Sequence, residues 1–256
     1  LPAIDLGSGR TALAISAGVY HTCALLDNAS VKCWGYNNKG QLGQGSTSDL
    51  GDAGSEMGDN LAAIDLGSGR TATAISAGFY HTCALLDNAS VKCWGYNNKG
   101  QLGQGSTSDL GDAGSEMGDN LAAIDLGSGR TATAISAGFY HTCALLDNAS
   151  VKCWGYNAHG TLGQGSTNHL GDADNEMGDN LPAIDLGSGR TALAISAGSA
   201  HTCALLDNSA VKCWGFNNHG QLGQGSTSNL GDAGSEMGDN LTAIDLGSGR
   251  TALAIS

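Results

Sequence analysis

The stretch His21-Thr-Cys-Ala-Leu-Leu-Asp-Asn-Ala-Ser-Val-Lys-Cys-Trp-Gly35 decides the fold, and it returns nearly verbatim from His81, His141 and His201. Two short runs of apolar and β-forming residues, 21–26 and 31–35, flank the polar cluster Asp27-Asn28-Ala29-Ser30. That arrangement reads as a β-hairpin. With the loop taken as Asp27, Asn28 and Ala29, Leu26 faces Ser30, Leu25 faces Val31 and Cys23 faces Cys33. Directly opposed cysteines on neighbouring strands lie close enough to bridge.

Around this hairpin everything repeats. The segment Ala3-Ile-Asp-Leu-Gly-Ser-Gly-Arg10 recurs at Ala63, Ala123, Ala183 and Ala243, so the period is 60 residues. Four full repeats follow (1–60, 61–120, 121–180 and 181–240), with a partial fifth at 241–256. A fixed period of this size indicates a propeller, solenoid or array. Repeats this alike argue for one continuous architecture over 1–256.

Within one repeat, LPAIDL (1–6) reads as a short strand, and Gly7-Ser8-Gly9 is a turn. TALAISA (11–17) has small or apolar residues on both faces, the pattern of a strand buried on both sides. With the hairpin this makes four strands per repeat, at about 3–6, 11–17, 21–26 and 31–35. The fold class expected is therefore all-β, a β-propeller with four-stranded blades. No window shows a sustained apolar stripe at helical spacing, and no apolar run approaches the roughly 20 residues needed for a membrane-spanning helix. The chain opens on Leu1 with no basic-then-apolar leader, the pattern expected of a processed or partial chain.

The remaining 25 residues of the repeat, 36–60, form a long glycine-rich loop. Loops of that length are uncommon in compact domains and tend to be functional where ordered. Leu42, Leu50 and Met57 are the side chains expected to pin it. Gly40-Gln-Leu-Gly-Gln-Gly45 lacks the Gly-Lys-Ser/Thr ending of a phosphate loop, and no helix pattern follows it.

Three motifs taken together carry a family resemblance. Ala17-Gly-x-x-His-Thr-Cys-Ala-Leu, Val31-Lys-Cys-Trp-Gly-x-Asn and Gly40-Gln-Leu-Gly-x-Gly resemble the repeats of the regulator of chromosome condensation family. The resemblance covers all four repeats, and the paired cysteines with the Glu56-Met-Gly-Asp-Asn-Leu61 run look like bacterial members. It implies a propeller, usually of seven blades, that serves as a protein-binding platform. Four repeats and a remnant depart from that number.

The cysteines fall in four equal pairs: Cys23 and Cys33, Cys83 and Cys93, Cys143 and Cys153, Cys203 and Cys213. Even, regular spacing suggests a disulfide framework and an oxidising compartment, extracellular or at the cell surface. Each bridge would close a loop of about 11 residues, worth roughly 2–3 kcal/mol on the chain-entropy model. The alternative is free buried cysteine acting as a small hydrophobe. Structural zinc is disfavoured because the tight Cys-x2–4-Cys spacing is absent.

Formal net charge is −13, and repeat 1 sets six acids against Arg10, Lys32 and Lys39. Such a surface repels phosphate backbones, which argues against direct nucleic-acid binding. Asp49, Asp52, Glu56 and Asp59 are oxygen donors among glycines and hence calcium candidates, although their order matches no EF-hand loop. His21, His81, His141 and His201 are more economically structural hydrogen-bonders than four general bases, since no nucleophile and orienting acid accompany them. Trp34, Trp94, Trp154 and Trp214 read as packing between blades with the indole N–H bonded.

Variation between repeats points to the loop. Repeats 2 and 3 are identical over their first 37 positions, and all seven differences lie in the loop. The differences are Asn98/Ala158, Lys99/His159, Gln101/Thr161, Ser108/Asn168, Asp109/His169, Gly114/Asp174 and Ser115/Asn175. Repeats 1 and 2 differ only outside it, at Pro2/Ala62, Leu13/Thr73 and Val19/Phe79. Loops displayed on a rigid scaffold are where recognition usually resides, and loop tips also tolerate neutral change. The charge type changes chiefly along Lys39, Lys99, His159, His219 and along Asp49, Asp109, His169, Asn229, which are the expected binding-loop positions.

The resulting expectation is a non-enzymatic, exported propeller without cofactor whose acidic loops bind a protein partner. Guanine-nucleotide exchange on a small GTPase is the rival that the family resemblance implies, and it would need a specialised wedge that no repeat carries. A structural spacer in a larger surface protein is the second rival. Because 241–256 duplicates 1–16 apart from Thr242, the ends offer the same two strands. A propeller avoids open edges by closing its ring. The chain is therefore expected to be a piece of a longer propeller or to form a homodimer closing an eight-bladed ring.

Overall fold

The hairpin forms in every repeat with the expected register. The computed structural model describes residues 2–256. In repeat 1, β1 (Ala12–Ala17), β2 (His21–Leu26) and β3 (Val31–Gly35) form one antiparallel sheet in that order. Cys23 pairs with Cys33 and Leu25 with Val31. Repeat 2 supplies β4 (Ala72–Ala77), β5 (His81–Leu86) and β6 (Val91–Gly95). Repeat 3 supplies β7 (Ala132–Ala137), β8 (His141–Leu146) and β9 (Val151–Gly155). Repeat 4 supplies β10 (Ala192–Ala197), β11 (His201–Leu206) and β12 (Val211–Gly215).

The hairpin loop closes through its own side chains. Asn28 Oδ1 accepts from Ser30 N–H at 3.2 Å and from Ser30 Oγ–H at 2.8 Å. This lets Ala29 sit at φ +61°, in the left-handed region that usually goes to glycine.

The blades have three strands, a correction to the four expected. The segment 3–6 and its counterparts join no sheet ladder, and Leu1 lies outside the described residues. The reason is competition for its backbone groups. In repeat 2, Ile64 N–H donates to Val31 O at 2.8 Å. The following carbonyls go elsewhere: Asp65 O accepts Gly118 N–H, and Leu66 O accepts the Lys92 ammonium at 3.0 Å. Asp65 Oδ1 also caps Gly67 N–H.

The segment 11–17 differs from expectation too. Its β1 stands largely exposed, with Ile15 at 71%, and β4, β7 and β10 are only half-buried. The alanines and serines of this strand are too short to fill space on both faces. In the partial repeat 241–256, Ile244 N–H donates to Val211 O and Ala252 N–H to Ser209 O, yet no strand forms. The strand depends on a following hairpin edge to pair with.

The chain divides into two compact units, one of residues 1–98 with 108–124, the other of 99–107 with 125–256. In the first unit, Cys23, Leu25, Val31, Cys33 and Leu42 of repeat 1 pack against Ile64, Leu66, Leu86 and Trp94 of repeat 2. In the second, Cys143, Leu145, Val151, Cys153 and Leu162 pack against Ile184, Leu186, Leu206 and Trp214. The core of each unit thus lies between the faces of successive sheets.

All four cysteine pairs are bridged. Cys23 is joined to Cys33, Cys83 to Cys93, Cys143 to Cys153 and Cys203 to Cys213, so each hairpin is tied across its own two strands. Among the described residues no cysteine is free, and the alternative of unpaired buried thiols falls away.

Candidate functional site

The long loop is organised by one buried asparagine per repeat. Asn37 Nδ2 donates to Ser46 O and Ser48 O, and its Oδ1 accepts Leu42 N–H at 2.9 Å. Its own N–H donates to Asp49 Oδ1 at 2.7 Å. Leu50 bridges back to Gly35, and Leu42 is fully buried, as the pinning role expected of these leucines requires. Glu56 Oε2 accepts from Gly51 and Ala53 N–H, and Asp59 accepts from the Ser8 amide and hydroxyl. These hydrogen bonds hold the Asp59 carboxyl below the usual range, the Ser8 hydroxyl contributing most.

Of the four calcium candidates only Asp52 and Glu56 meet, through a side-chain hydrogen bond, while Asp49 and Asp59 each serve a different turn. Among the described residues no group of three His, Cys, Asp or Glu side chains could hold a metal. The cysteines form no reactive centre either. Cys93 and Cys213, at 0% and 2% exposure, are spent in bridges to Cys83 and Cys203 inside their sheets, so their role is to hold the frame.

The histidines act as a staple between repeats. Thr82 Oγ–H donates to Gln41 O at 2.8 Å, and Trp94 Nε1–H donates to the same carbonyl at 3.0 Å. With its proton committed there, Thr82 accepts from His21 Nε2–H at 2.8 Å. The tautomer follows: His21 carries its proton on Nε2, and its buried Nδ1 has no partner. Burial lowers the His21 pKa from 6.5 to about 4. Gly18 is glycine because a Cβ there would lie 2.5 Å from Gly78 O and 2.7 Å from His21 Cε1.

The second unit repeats the staple. His141 meets Thr202 Oγ1 at 3.0 Å, while Thr202 and Trp214 both donate to Thr161 O. Burial, with a smaller contribution from His201, takes the His141 pKa down to about 3. Trp94, Trp154 and Trp214 are fully buried, as blade packing demands, while Trp34 is only half-buried.

One working residue went unread in the sequence. Lys92 is 8% exposed, and its ammonium bridges Leu66 O and Gly118 O, tying the unladdered segment to the loop end. Lys32, Lys152 and Lys212 make the same two bonds in their repeats. Only the tertiary placement of the two carbonyls reveals this role.

The two varied positions meet across repeats. Lys39 Nζ lies 3.2 Å from Asp109 Oδ2 and 4.9 Å from the Tyr96 ring centroid. The Asp109 carboxylate raises the Lys39 pKa. In the second unit, His169 takes the acid's place. Its Nδ1 accepts Asn157 N–H at 3.1 Å, and burial with nearby Lys99 lowers its pKa. His159 lies 4.8 Å from the Phe216 ring, Asn229 Oδ1 accepts Asn217 N–H, and His219 packs edge-on to Phe216.

Residues 13–41, 72–101, 132–161 and 193–221 match the regulator of chromosome condensation (RCC1) repeat. This chain is built of RCC1 repeats. It is 30% identical to the ultraviolet-B receptor UVR8 of Arabidopsis thaliana over 84% of this chain and 44% of that protein. Its fold resembles human WBSCR16 with a TM-score of 0.68, at 17% identity, over 92% of this chain and 53% of that one. It also resembles a chain of the crystal structure of Kap60 bound to yeast RCC1 (Prp20), with a TM-score of 0.65 at 18% identity, over 94% and 50%. The chain thus spans about half the length of these relatives or less.

Each matched RCC1 segment runs from the first strand to position 41 of the repeat and stops there. The three strands, the staple histidine and the Asn37 hub fall inside the match. Most of the glycine-rich loop, with positions 48, 49, 54 and 55, falls outside it. Among the described residues, no helix is long and apolar enough to cross a membrane.

Proposed function

We propose that this chain is a non-enzymatic protein-binding platform, with its RCC1 blades as the frame and the varied loop positions as the recognition elements. One observation carries the reading. Two repeats with identical strands differ at seven loop positions, and two of these positions meet between repeats 1 and 2 as the pair Lys39 and Asp109, while in repeat 3 they are occupied by His159 and His169. A frame kept constant under a varied edge is the arrangement of a recognition surface. Among the relatives in fold, yeast RCC1 (Prp20) is seen with Kap60 bound, and a protein partner for that protein supports the same class of function here.

Four bridged hairpins support an oxidising, extracellular home, where such bonds persist. An adjoining blade, from a second copy or from further repeats, is part of the proposal. Ile4, at 59%, is exposed where its counterpart Ile64 is covered by repeat 1 at 6%.

The test exchanges the seven repeat 3 residues into repeat 2. Binding to a partner captured by cross-linking should change, while stability stays within about 1 kcal/mol. Unchanged binding with a collapsed fold would assign the loop a structural role instead.

A further inference from the structure

The first three hairpins close on the same tripeptide, whose chemistry neither the frame nor the long loop uses. Asn28-Ala-Ser30, Asn88-Ala-Ser90 and Asn148-Ala-Ser150 all read Asn-x-Ser, the acceptor code for N-linked oligosaccharide. Repeat 4 transposes the last two residues to Asn208-Ser-Ala210, and the code is lost.

The three asparagines are held alike. Asn88 Oδ1 accepts Ser90 N–H at 3.2 Å and Ser90 Oγ–H at 2.7 Å. Asn148 Oδ1 accepts the same two groups of Ser150 at 3.2 and 2.7 Å, as Asn28 does from Ser30. A backbone N–H can only donate, so the atom facing it is the carboxamide oxygen, and Nδ2 is turned away from the turn. All three side chains are exposed, and among the described residues their Nδ2 groups donate to no acceptor. Replacing one Nδ2 hydrogen by a sugar carbon would leave Oδ1 and both of its bonds in place. Repeats 2 and 3 have a repeat on either side, so the exposure of Asn88 and Asn148 owes nothing to a chain end. Each tip also lies between two bridged cysteines, and such bridges form in the oxidising lumen through which secreted chains pass.

We propose that Asn28, Asn88 and Asn148 are modification sites for N-linked oligosaccharide, while Asn208 stays bare. Nδ2 forms a bond to the anomeric carbon of a sugar carried on a lipid pyrophosphate. The bond from that carbon to the pyrophosphate oxygen breaks, and the lipid pyrophosphate leaves with the electron pair. The Nδ2 proton passes to a base of the transferase, and nothing is oxidised or reduced. Asn240-Leu-Thr242 stands outside the proposal, because Leu241 is buried and the Thr242 hydroxyl donates to Gln224 Oε1. The sites go beyond the platform reading and share with it only the exported home.

The test uses the full chain recovered from the medium of the cells that make it. After reduction, tryptic peptides are treated with a glycan-releasing amidase in heavy-oxygen water, which converts each glycosylated asparagine to labelled aspartate. Label is expected in peptide 11–32 and in the peptide shared by 71–92 and 131–152, with none above background in 191–212. Ser90→Ala combined with Ser150→Ala should remove the label from the shared peptide. The tip should stay folded in that variant, because Ala210 N–H still donates to Asn208 Oδ1 at 3.2 Å in repeat 4. Ala210→Ser should bring label to 191–212. Bare tips in the exported chain, label surviving the paired serine replacements, or a bare Asn208 in the Ala210→Ser chain would each overturn the sites. Bare tips on an exported chain would leave the platform reading standing. A chain found only inside the cells with bare tips would overturn the exported home as well, so the two failures are told apart.

Discussion

Lowering the pH should unstaple the repeats. His21 holds its proton only on Nε2, because Thr82 has already given its own to Gln41 O, and the buried Nδ1 faces no donor or acceptor. Its folded pKa of about 4 lies below the ordinary 6.5. Between those values the unfolded chain binds a proton that the folded chain refuses. Stability is therefore full above pH 6.5 and is lost as pH falls from there towards 4. Below 4 the folded state takes the proton as well, and this loss levels off. The gap corresponds to roughly 3 kcal/mol for His21 and, with His141 at about 3, roughly 5 kcal/mol in the second unit.

Denaturant unfolding followed by tryptophan fluorescence, at intervals from pH 7.5 to 4.5 with disulfides intact, measures the slope. His21→Gln keeps an N–H donor for Thr82 but does not titrate, so its curve should be flatter than that of the native chain. A His21 imidazole titrating near 6.5 by NMR would refute the tautomer argument. So would a His21→Gln curve parallel to the native one.

Three further outcomes are expected. Alkylation of the unreduced protein should label no cysteine, and replacing Cys83 and Cys93 together by serine should lower stability by about 2–3 kcal/mol, read by intact mass and by unfolding respectively. Lys92→Met should cost about 1–3 kcal/mol, since it leaves Leu66 O and Gly118 O without their buried donor, and exchange of the Gly118 amide should accelerate. Ala89→Gly, at φ +62°, should raise the unfolding midpoint by an amount worth up to about 1 kcal/mol, because relief of left-handed strain exceeds the added chain entropy.

Much of the fold could be read locally. The 60-residue period, the hairpin at 21–35 and its cysteine register follow from alternation and loop length, because strand pairing across a three-residue loop admits few registers. The same register sets Cys93 opposite Cys83 and Cys213 opposite Cys203, so the bridges needed no tertiary information. The family was legible in the same residues, since Gly18, His21, Trp34 and Asn37 serve contacts that each repeat must satisfy.

Other features were decided by where distant segments come to lie. The segment 63–66 has strand-like residues, yet its carbonyls are captured by Lys92 and Gly118, residues 26 to 53 positions on, so the ladder never forms. Nothing within Val91-Lys-Cys-Trp94 names the partners of the Lys92 ammonium, which are two carbonyls supplied by distant segments. The varied positions 39 and 49 read as independent loop tips, and only the stacking of one blade on the next makes Lys39 and Asp109 a pair. A periodic sequence determines what each repeat must contain. Which groups of one repeat meet those of its neighbour depends on the three-dimensional offset between blades, which no single repeat encodes.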